Sequence, residues 1–383
     1  MKLAKESWIS SLSVNERDKK LLALAYDVLE GNAISGEDCP WGNKPAVSPW
    51  VGKGRTEGIW NWDTAFHVMA LSRFDTDLAK SSLEVFCSTQ LENGMFPDVW
   101  KKDGGLVDYL SKPPVLPWAT LILYKADGDR KFLRDRYEQF VKNEAFWVRE
   151  RSSDGLFYYS SQKDIEKDFY IRARWESGWD NSPRWDTPII DLWAIDLNCF
   201  MVMFYRSMAE MARVLGENDV WSQKAETLSA LIEQKMFDEK KGYYADTNRH
   251  TGEQIDTLSP ASFMPLYIGI SSKEHAEKMH ELAKDTKKFY PGMPTVTYDH
   301  PQYSQDYWRG PTWLNVAFFA IKGLHNYGFC KTAGEMKEFL LDMIDKNSDD
   351  GIFENYDSVA EKGLYWHHFS WSAAFVIEFI LGL

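Results

Sequence analysis

The sequence predicts an all-α fold, a single (α/α)6 toroid in which six helical hairpins close into a ring. Two observations predict it: apolar helical segments alternate with amphipathic ones, and the apolar segments are unevenly spaced. The apolar segments begin near Asp63, Val115, Asp191, Ser259, Pro311 and Ser370, and the amphipathic segments lie near 15–30, 75–92, 130–151, 218–237, 272–285 and 331–347. Successive apolar segments start 52, 76, 68, 52 and 59 residues apart. A solenoid would keep a fixed period of about 34–47 residues, so a closed ring with rim loops of unequal length is favoured.

Residue periodicity separates the outer helices from the inner ones. In the third amphipathic segment, Leu133, Tyr137 and Phe140 recur at helical spacing, which is typical of a helix with one buried face. From residue 198 to residue 215, apolar side chains cover most of the helix circumference. A helix that is apolar all round is covered by protein on both sides, so this segment is predicted to be an inner helix.

A polar-Gly-X-aromatic pattern recurs at Gly94, Gly155, Gly242 and Gly351, each time after an amphipathic segment. Glycine readily adopts the left-handed conformation that ends many helices, so these glycines are predicted to be helix stops. The pattern also aligns the repeats, which places the residues after each glycine at the same rim of the ring. No boundary is visible between domains, and residues 1–383 are predicted to form one domain.

Composition restricts the partners of the chain. The formal net charge of −13 disfavours nucleic acids and anionic membranes, because these are bound through lysine and arginine. No apolar run is long enough to predict a membrane span, and the first ten residues lack the apolar stretch of a signal peptide. The four cysteines are scattered without CxxC spacing. We therefore expect a cytoplasmic protein without a metal or other cofactor, and the oligomeric state is left open.

The segment from Arg172 to Trp185 is the densest in functional side chains, with three tryptophans, three arginines, one glutamate and one aspartate. Gly178 beside Trp179 permits a tight bend that aims Asp180 into a cavity walled by indoles. A carboxyl group in such a cavity has a raised pKa and stays protonated near neutrality, as a general acid requires. The alternative is a structural loop in which Asp180 pairs with Arg184.

Glu354 follows the last of the four glycine patterns and is the only acid among the equivalent positions, which hold Pro97, Tyr158 and Ala245 elsewhere. Glu354 is therefore the candidate for a second catalytic carboxylate. Two carboxylates on one rim fit glycoside hydrolysis, in which one protonates the leaving oxygen and the other activates water or attacks the anomeric carbon. The choice between inversion and retention depends on their separation, so it stays open on these residues alone.

Aromatic and polar residues also precede other inner helices, which concentrates indoles and hydrogen-bonding groups around one central pit. Asp63 is at the same time a candidate helix cap. The candidate substrate-binding residues are Trp60, Trp62, Asp63, Gln90, Arg172, Glu176, Trp179, Arg184, Trp308, Arg309, Gly310, Trp313, Trp366 and His367.

These motifs resemble glycoside hydrolase family 63 and, more distantly, the family 37 trehalases. The matches run from the WNWD sequence at Trp60 to Trp371, through ESGWDNSPRW, DYWRGPTW and GIFENY. The resemblance implies a catalytic domain of the six-hairpin glycosidase type and hydrolysis with inversion at an α-linked glucose or mannose. It assigns the general acid to Asp180 and the general base to Glu354, and it implies no catalytic metal.

We expect no N-terminal β-sandwich domain of the kind found in the larger family members, so the chain is more similar to the compact bacterial enzymes that hydrolyse mannosylglycerate or glucosylglycerate. Such a substrate requires a cation for the glycerate carboxylate, and Arg55 and Lys112 are the candidates. Arg172 is a further candidate substrate contact. An α-glucosidase or trehalase that acts on an α-linked disaccharide or oligosaccharide is the alternative.

Two other classes of function remain open. A sugar epimerase on a similar ring would use histidine as acid and base, and His67 with His367 or His368 are available for that role. A non-catalytic helical scaffold is the third hypothesis, but it does not explain why tryptophans and acids gather at one rim.

Overall fold

The chain is described by a computed structural model that covers residues 2–54, 56–160, 172–186 and 191–383. The helices are α1 (Lys5–Ser10), α2 (Glu16–Gly31), α3 (Asn61–Leu71), α4 (Thr76–Cys87), α5 (Leu116–Asp127), α6 (Arg130–Glu150), α7 (Arg172–Ser177), α8 (Ile195–Leu215), α9 (Trp221–Lys235), α10 (Met264–Tyr267), α11 (Lys273–Ala283), α12 (Leu314–Asn326), α13 (Cys330–Lys346) and α14 (Ser370–Leu381). Two 3-10 turns cover Pro183–Trp185 and Pro260–Phe263.

Short strands pair into two-stranded antiparallel sheets in the loops between the helices. They are β1 (Ala33–Ile34) with β2 (Ala46–Val47), β3 (Gly58–Trp60) with β4 (Val99–Lys101), β5 (Ser152–Ser153) with β6 (Leu156–Phe157), β7 (Leu192–Trp193) with β10 (Thr247–Asn248), β8 (Phe237–Asp238) with β9 (Tyr243–Tyr244), and β11 (Phe353–Asp357) with β12 (Lys362–His367). Most of the regular secondary structure is helical, as the sequence predicted, and the short sheets lie in the connections between helices.

The apolar helices form the inside of the fold. Every residue of α3 is buried, and all but four of the 21 residues of α8 are buried. Within the described part of the chain, α3 packs against α5, α5 against α8, α8 against α10, α10 against α12, α12 against α14, and α14 again against α3. The inner helices therefore contact one another in cyclic order.

The amphipathic helices lie outside this set. α4, α6, α9 and α13 each pack against the inner helix that precedes them in the chain, while α2 packs against α14. Helices from the two ends of the chain, α2 and α14, thus contact each other. The predicted alternation of inner and outer helices is confirmed. In α6 the buried side chains include Leu133, Tyr137 and Phe140, the apolar stripe seen in the sequence.

Two details of the sequence prediction are wrong. The fourth inner segment contains only a 3-10 turn and the four-residue α10, since Pro265 lies within its first turn and Gly269 follows it with φ +69°. The glycines of the recurring pattern do adopt positive φ, +80° at Gly155 and +77° at Gly242. Gly155 and Gly242 lie beyond the helix ends, however, in the turns of β5–β6 and β8–β9, so these two glycines shape hairpins instead of capping helices.

No helix in the described residues is long and apolar enough to cross a membrane.

Candidate active site

A pocket opens where the amino ends of α3, α12 and α14 approach the loops before α5 and after α7. Its described lining consists of Pro49, Trp50, Trp60, Trp62, Asp63, Lys112, Gly178, Asp180, Tyr307, Trp308, Trp313, Glu354, Phe369 and Trp371. The structure therefore brings Asp180 and Glu354, 174 positions apart in the sequence, into one cavity.

Stacked indoles form the apolar wall of the pocket. The rings of Trp308 and Trp313 are nearly parallel, with centroids 4.0 Å apart, and Trp371 meets Trp62 edge-on at 5.1 Å. Trp179 packs behind Trp308 at 5.0 Å. Flat aromatic faces of this kind suit the apolar face of a sugar ring.

Gly178 determines the course of the loop that carries Asp180. Its φ is +75°, and a Cβ at this position would lie 2.3 Å from the ring of Trp62. Only glycine fits both conditions, so the bend predicted at this residue is present. Asp180 then enters the pocket, where burial raises its pKa to about 6, while Lys112 lowers that pKa and Asp98 raises it.

The residue after Asp180 ties its loop to the loop before α12. The Asn181 side chain donates to Asp306 Oδ2 at 3.0 Å and accepts from the backbone N–H of Trp308 at 2.8 Å. Arg309 donates to the carbonyl oxygen of Asn181 at 2.9 Å and to Asp186 at 2.6 Å. The acid-bearing loop is thus held to the segment that also contains Tyr307.

Glu354 lies on β11, and only 2% of its surface is exposed. The phenol of Tyr307 donates to Glu354 Oε1 at 3.0 Å, and Ser372 donates to the Glu354 carbonyl oxygen at 3.0 Å. Tyr307 has a φ of +54°, which is uncommon for a residue other than glycine. Burial and the neighbouring Glu354 raise the pKa of Tyr307, so its hydroxyl remains a donor.

Asp63 is the third carboxyl group of the pocket. It is the third residue of α3, whose N-cap is Trp60, so the alternative that Asp63 caps this helix is wrong. Burial raises the pKa of Asp63 to about 8, with Lys112 lowering it and Asp98 raising it. Asp63 is therefore protonated at neutral pH and can donate a hydrogen bond.

Lys112 is the only lysine or arginine among the pocket residues that the structure describes. Its ammonium Nζ lies 3.5 Å from Asp98 Oδ1 and donates a hydrogen bond to the carbonyl oxygen of Trp175. The other cation suggested for the glycerate carboxylate, Arg55, lies outside the described residues.

Several candidate substrate contacts are placed away from this pocket. Arg184 is fully buried and pairs with Asp196 at 2.9 Å and with Asp246 at 2.8 Å, so it is not the partner of Asp180. Glu176 is also fully buried, and it pairs with Arg151 at 3.1 Å. Both side chains form buried ion pairs, and neither residue belongs to the described pocket lining.

Other candidates likewise do not line the described pocket. Gln90 donates to the carbonyl oxygens of Gly94 and Gln139 at 3.1 and 2.8 Å. The guanidinium of Arg172 lies 5.3 Å from the ring of Tyr109.

Two candidates in the DYWRGPTW segment, Arg309 and Gly310, have structural roles in the loops next to the pocket and are not part of its described lining. Arg309 binds the acid-bearing loop as described above. Gly310 is required by packing, since a Cβ there would lie 2.2 Å from the carbonyl oxygen of Ser304.

The histidines proposed for an epimerase also lie elsewhere. His67 is fully buried and bonded to the Ser370 hydroxyl at 2.7 Å, and burial lowers its pKa to about 3. Trp366 and His367 are exposed on β12, with His367 Nδ1 2.5 Å from His368 Nδ1. No histidine lines the pocket in the described part of the chain.

Sequence reasoning missed several lining residues, namely Pro49, Trp50, Tyr307, Phe369 and Trp371. Tyr307 directly precedes Trp308, which was predicted to bind substrate, and a tyrosine hydroxyl beside that indole could have marked it as a further candidate. The contact with Glu354 joins distant segments, and no local pattern shows it.

Comparison with known proteins shows the family of the chain. The family described as the mannosylglycerate hydrolase MGH1-like glycoside hydrolase domain matches residues 56–372. A mannosylglycerate hydrolase of Rubrobacter radiotolerans is 24% identical, covering 84% of this chain and 90% of the relative. The structure of a family 63 mannosylglycerate hydrolase of Thermus thermophilus in complex with Tris and D-glycerate has a TM-score of 0.78 at 22% identity, covering 93% and 99% of the two chains. Neutral trehalase Nth1 of Saccharomyces cerevisiae has a TM-score of 0.70 at 20% identity, covering 92% and 78%.

The chain is therefore an enzyme of the glycoside hydrolase class. It belongs to the family of mannosylglycerate hydrolase MGH1-like glycoside hydrolases, and the resemblance to glycoside hydrolase family 63 is confirmed.

Proposed function

We propose that the chain is an inverting α-glycosidase that hydrolyses a small α-linked mannoside or glucoside on an (α/α)6 toroid formed by residues 1–383. The observation that carries the proposal is the pairing of two carboxyl groups of different character in one indole-walled pocket. Asp180 has a pKa raised to about 6 by burial, while Glu354 accepts a hydrogen bond from Tyr307. The cyclic packing of the inner helices supports the toroid.

The two groups divide the chemistry between them. Asp180, in its protonated form, donates its proton to the glycosidic oxygen as the bond between that oxygen and the anomeric carbon breaks. Glu354, in its ionised form, removes a proton from a water molecule that attacks the anomeric carbon from the opposite face. The Tyr307 hydroxyl group, 3.0 Å from Oε1, orients the Glu354 carboxyl group for this role.

The remaining pocket residues bind the sugar in this proposal. Trp308 and Trp313 offer aromatic faces, and protonated Asp63 offers a hydrogen-bond donor to a hydroxyl group. The substrate would be a small carbohydrate such as mannosylglycerate, as the names of the relatives suggest, or the similar glucosylglycerate. An α-linked disaccharide is the alternative substrate, favoured by the fold shared with a trehalase.

The experiment that tests the pair compares the purified enzyme with Asp180→Asn and Glu354→Gln on mannosylglycerate, glucosylglycerate and trehalose. Each variant is expected to lose at least about a hundredfold in kcat. An aryl glycoside with a good leaving group needs little protonation, so it should restore turnover to Asp180→Asn but not to Glu354→Gln.

The matched control is Asp256→Asn, which changes an exposed aspartate outside the described pocket lining and should keep full activity. Full hydrolytic activity in Asp180→Asn and Glu354→Gln would contradict the proposal.

A further inference from the structure

Lys112 lines the pocket, yet its ammonium group is already engaged by the protein. Only 7% of the side chain is exposed, and Nζ lies 3.5 Å from Asp98 Oδ1. Nζ also donates to the carbonyl oxygen of Trp175. Trp175 belongs to α7, which ends at Ser177, three residues before Asp180. Lys112 therefore anchors the short helix that leads directly into the acid-bearing bend.

Three carboxyl groups surround this lysine. Asp63, Asp98 and Asp180 all have pKa values raised by burial, and Lys112 lowers the pKa of each. Asp63 lies on α3, Asp98 precedes β4, and Asp180 follows α7. One cation therefore lowers the pKa of carboxyl groups from three separate parts of the fold.

The other charged or titratable groups nearby do not replace Lys112. Glu354 and Glu176 are acids, and they raise the pKa of Asp63 and of Asp98, respectively. Tyr307 remains a neutral donor to Glu354. The guanidinium of Arg184 lies 4.8 Å from the Trp179 ring, but two aspartates already pair with it.

We propose that Lys112 is a positioning residue that fixes the Asp180 segment through Trp175 and places a positive charge beside Asp98 and Asp180. This inference rests on the proposed function of Asp180 as general acid. It differs from the role that the sequence suggested for Lys112, a direct contact with the carboxylate of the substrate. The contacts with Asp98 and a backbone carbonyl already engage two of the three ammonium donors, so at most one is left for the substrate.

The test measures the pH profile of kcat/KM in two variants that change the charge around Asp180 in opposite directions. Lys112→Met removes a cation, which raises the pKa of Asp180, so the falling limb of the profile should move to higher pH by about one to three units. Asp98→Asn removes an anion, which lowers that pKa, so the limb should move to lower pH. Loss of packing alone would reduce activity without moving the limb in opposite directions.

Three further variants control the result. Lys112→Arg keeps the charge and should keep the limb near its original position. Lys102→Met removes a lysine that pairs with Glu57 at 2.9 Å outside the pocket, and it should leave the profile unchanged. Lys112→Met combined with Asp98→Asn removes both members of the buried pair, so it should fold even where Lys112→Met alone does not. Its limb should lie between those of the two single variants.

Two outcomes would overturn the inference. The first is a limb that stays in place in both Lys112→Met and Asp98→Asn. The second is a loss in Lys112→Met confined to KM for mannosylglycerate and absent for the uncharged mannosylglycerol, which would assign Lys112 to the substrate carboxylate. Full activity of Asp180→Asn would instead remove the proposed function itself, so the two failures are distinguishable.

Discussion

The phenol of Tyr307 donates a 3.0 Å hydrogen bond to Oε1 of Glu354, which joins the loop before α12 to β11. Tyr307→Phe removes this donor and keeps the ring. Since the Glu354 carboxyl group loses the hydrogen bond that orients it, kcat is expected to fall about ten- to a hundredfold, with a smaller change in KM. Steady-state kinetics on the best substrate measures both constants.

The matched control for this change is Tyr303→Phe. The Tyr303 hydroxyl accepts from Gln305 at 2.9 Å and does not line the described pocket. An equal loss in both variants would show that Tyr307 acts only through the fold of its loop.

The pKa of Asp180 predicts how activity depends on pH. Asp180 must be protonated to act as general acid, and burial raises its pKa to about 6. The value of kcat/KM should therefore fall as pH rises through about 6, tenfold for each further unit. A fall that begins only near pH 8 would instead point to Asp63, whose pKa burial raises to about 8, and a profile that stays flat to pH 9 would exclude both groups as the proton donor.

Asn181 is predicted to hold the loop that carries Asp180 against the loop before α12. Its side chain bonds Asp306 at 3.0 Å and the Trp308 N–H at 2.8 Å. Asn181→Ala breaks both bonds, and since small misplacements of a catalytic group are costly, kcat should fall by about one to two orders of magnitude. Unfolding by urea should show only a modest change in stability, and a variant with normal kcat would contradict the role.

Arg184 is predicted to matter for stability. The buried guanidinium pairs with both Asp196 and Asp246 at 2.8–3.0 Å. Arg184→Met leaves two buried carboxylates without a counter-charge, which should lower the free energy of unfolding by about 3–5 kcal/mol. Arg149→Met, at an exposed pair with Glu150, should cost less than about 1 kcal/mol. Urea titrations of both variants measure the difference.

The sequence predicted the helical architecture well, because burial on one face or on all faces leaves a periodic record in the chain. The apolar residues between 198 and 215 illustrate this, since they indicated an inner helix and form α8. The short α10 was not predicted, because Pro265 and Gly269 interrupt an otherwise apolar segment.

Site residues were harder to predict than helices. Gly178 was interpretable from its neighbours alone, and its positive φ agrees with the predicted bend. Arg184 and Glu176 lie close to Asp180 in sequence, but their partners come from distant segments and hold them outside the pocket. Sequence proximity does not show which way a side chain points, and the Tyr307–Glu354 contact was missed for the same reason.

The most direct measurement of the central claim is ¹H NMR of the anomer that is released first from an α-linked substrate. With Asp180 as acid and Glu354 as base acting on water, the first product is expected to be the β-anomer, which then mutarotates to the equilibrium mixture. Initial release of the α-anomer would contradict inversion and would require one of the two carboxylates to act as a nucleophile.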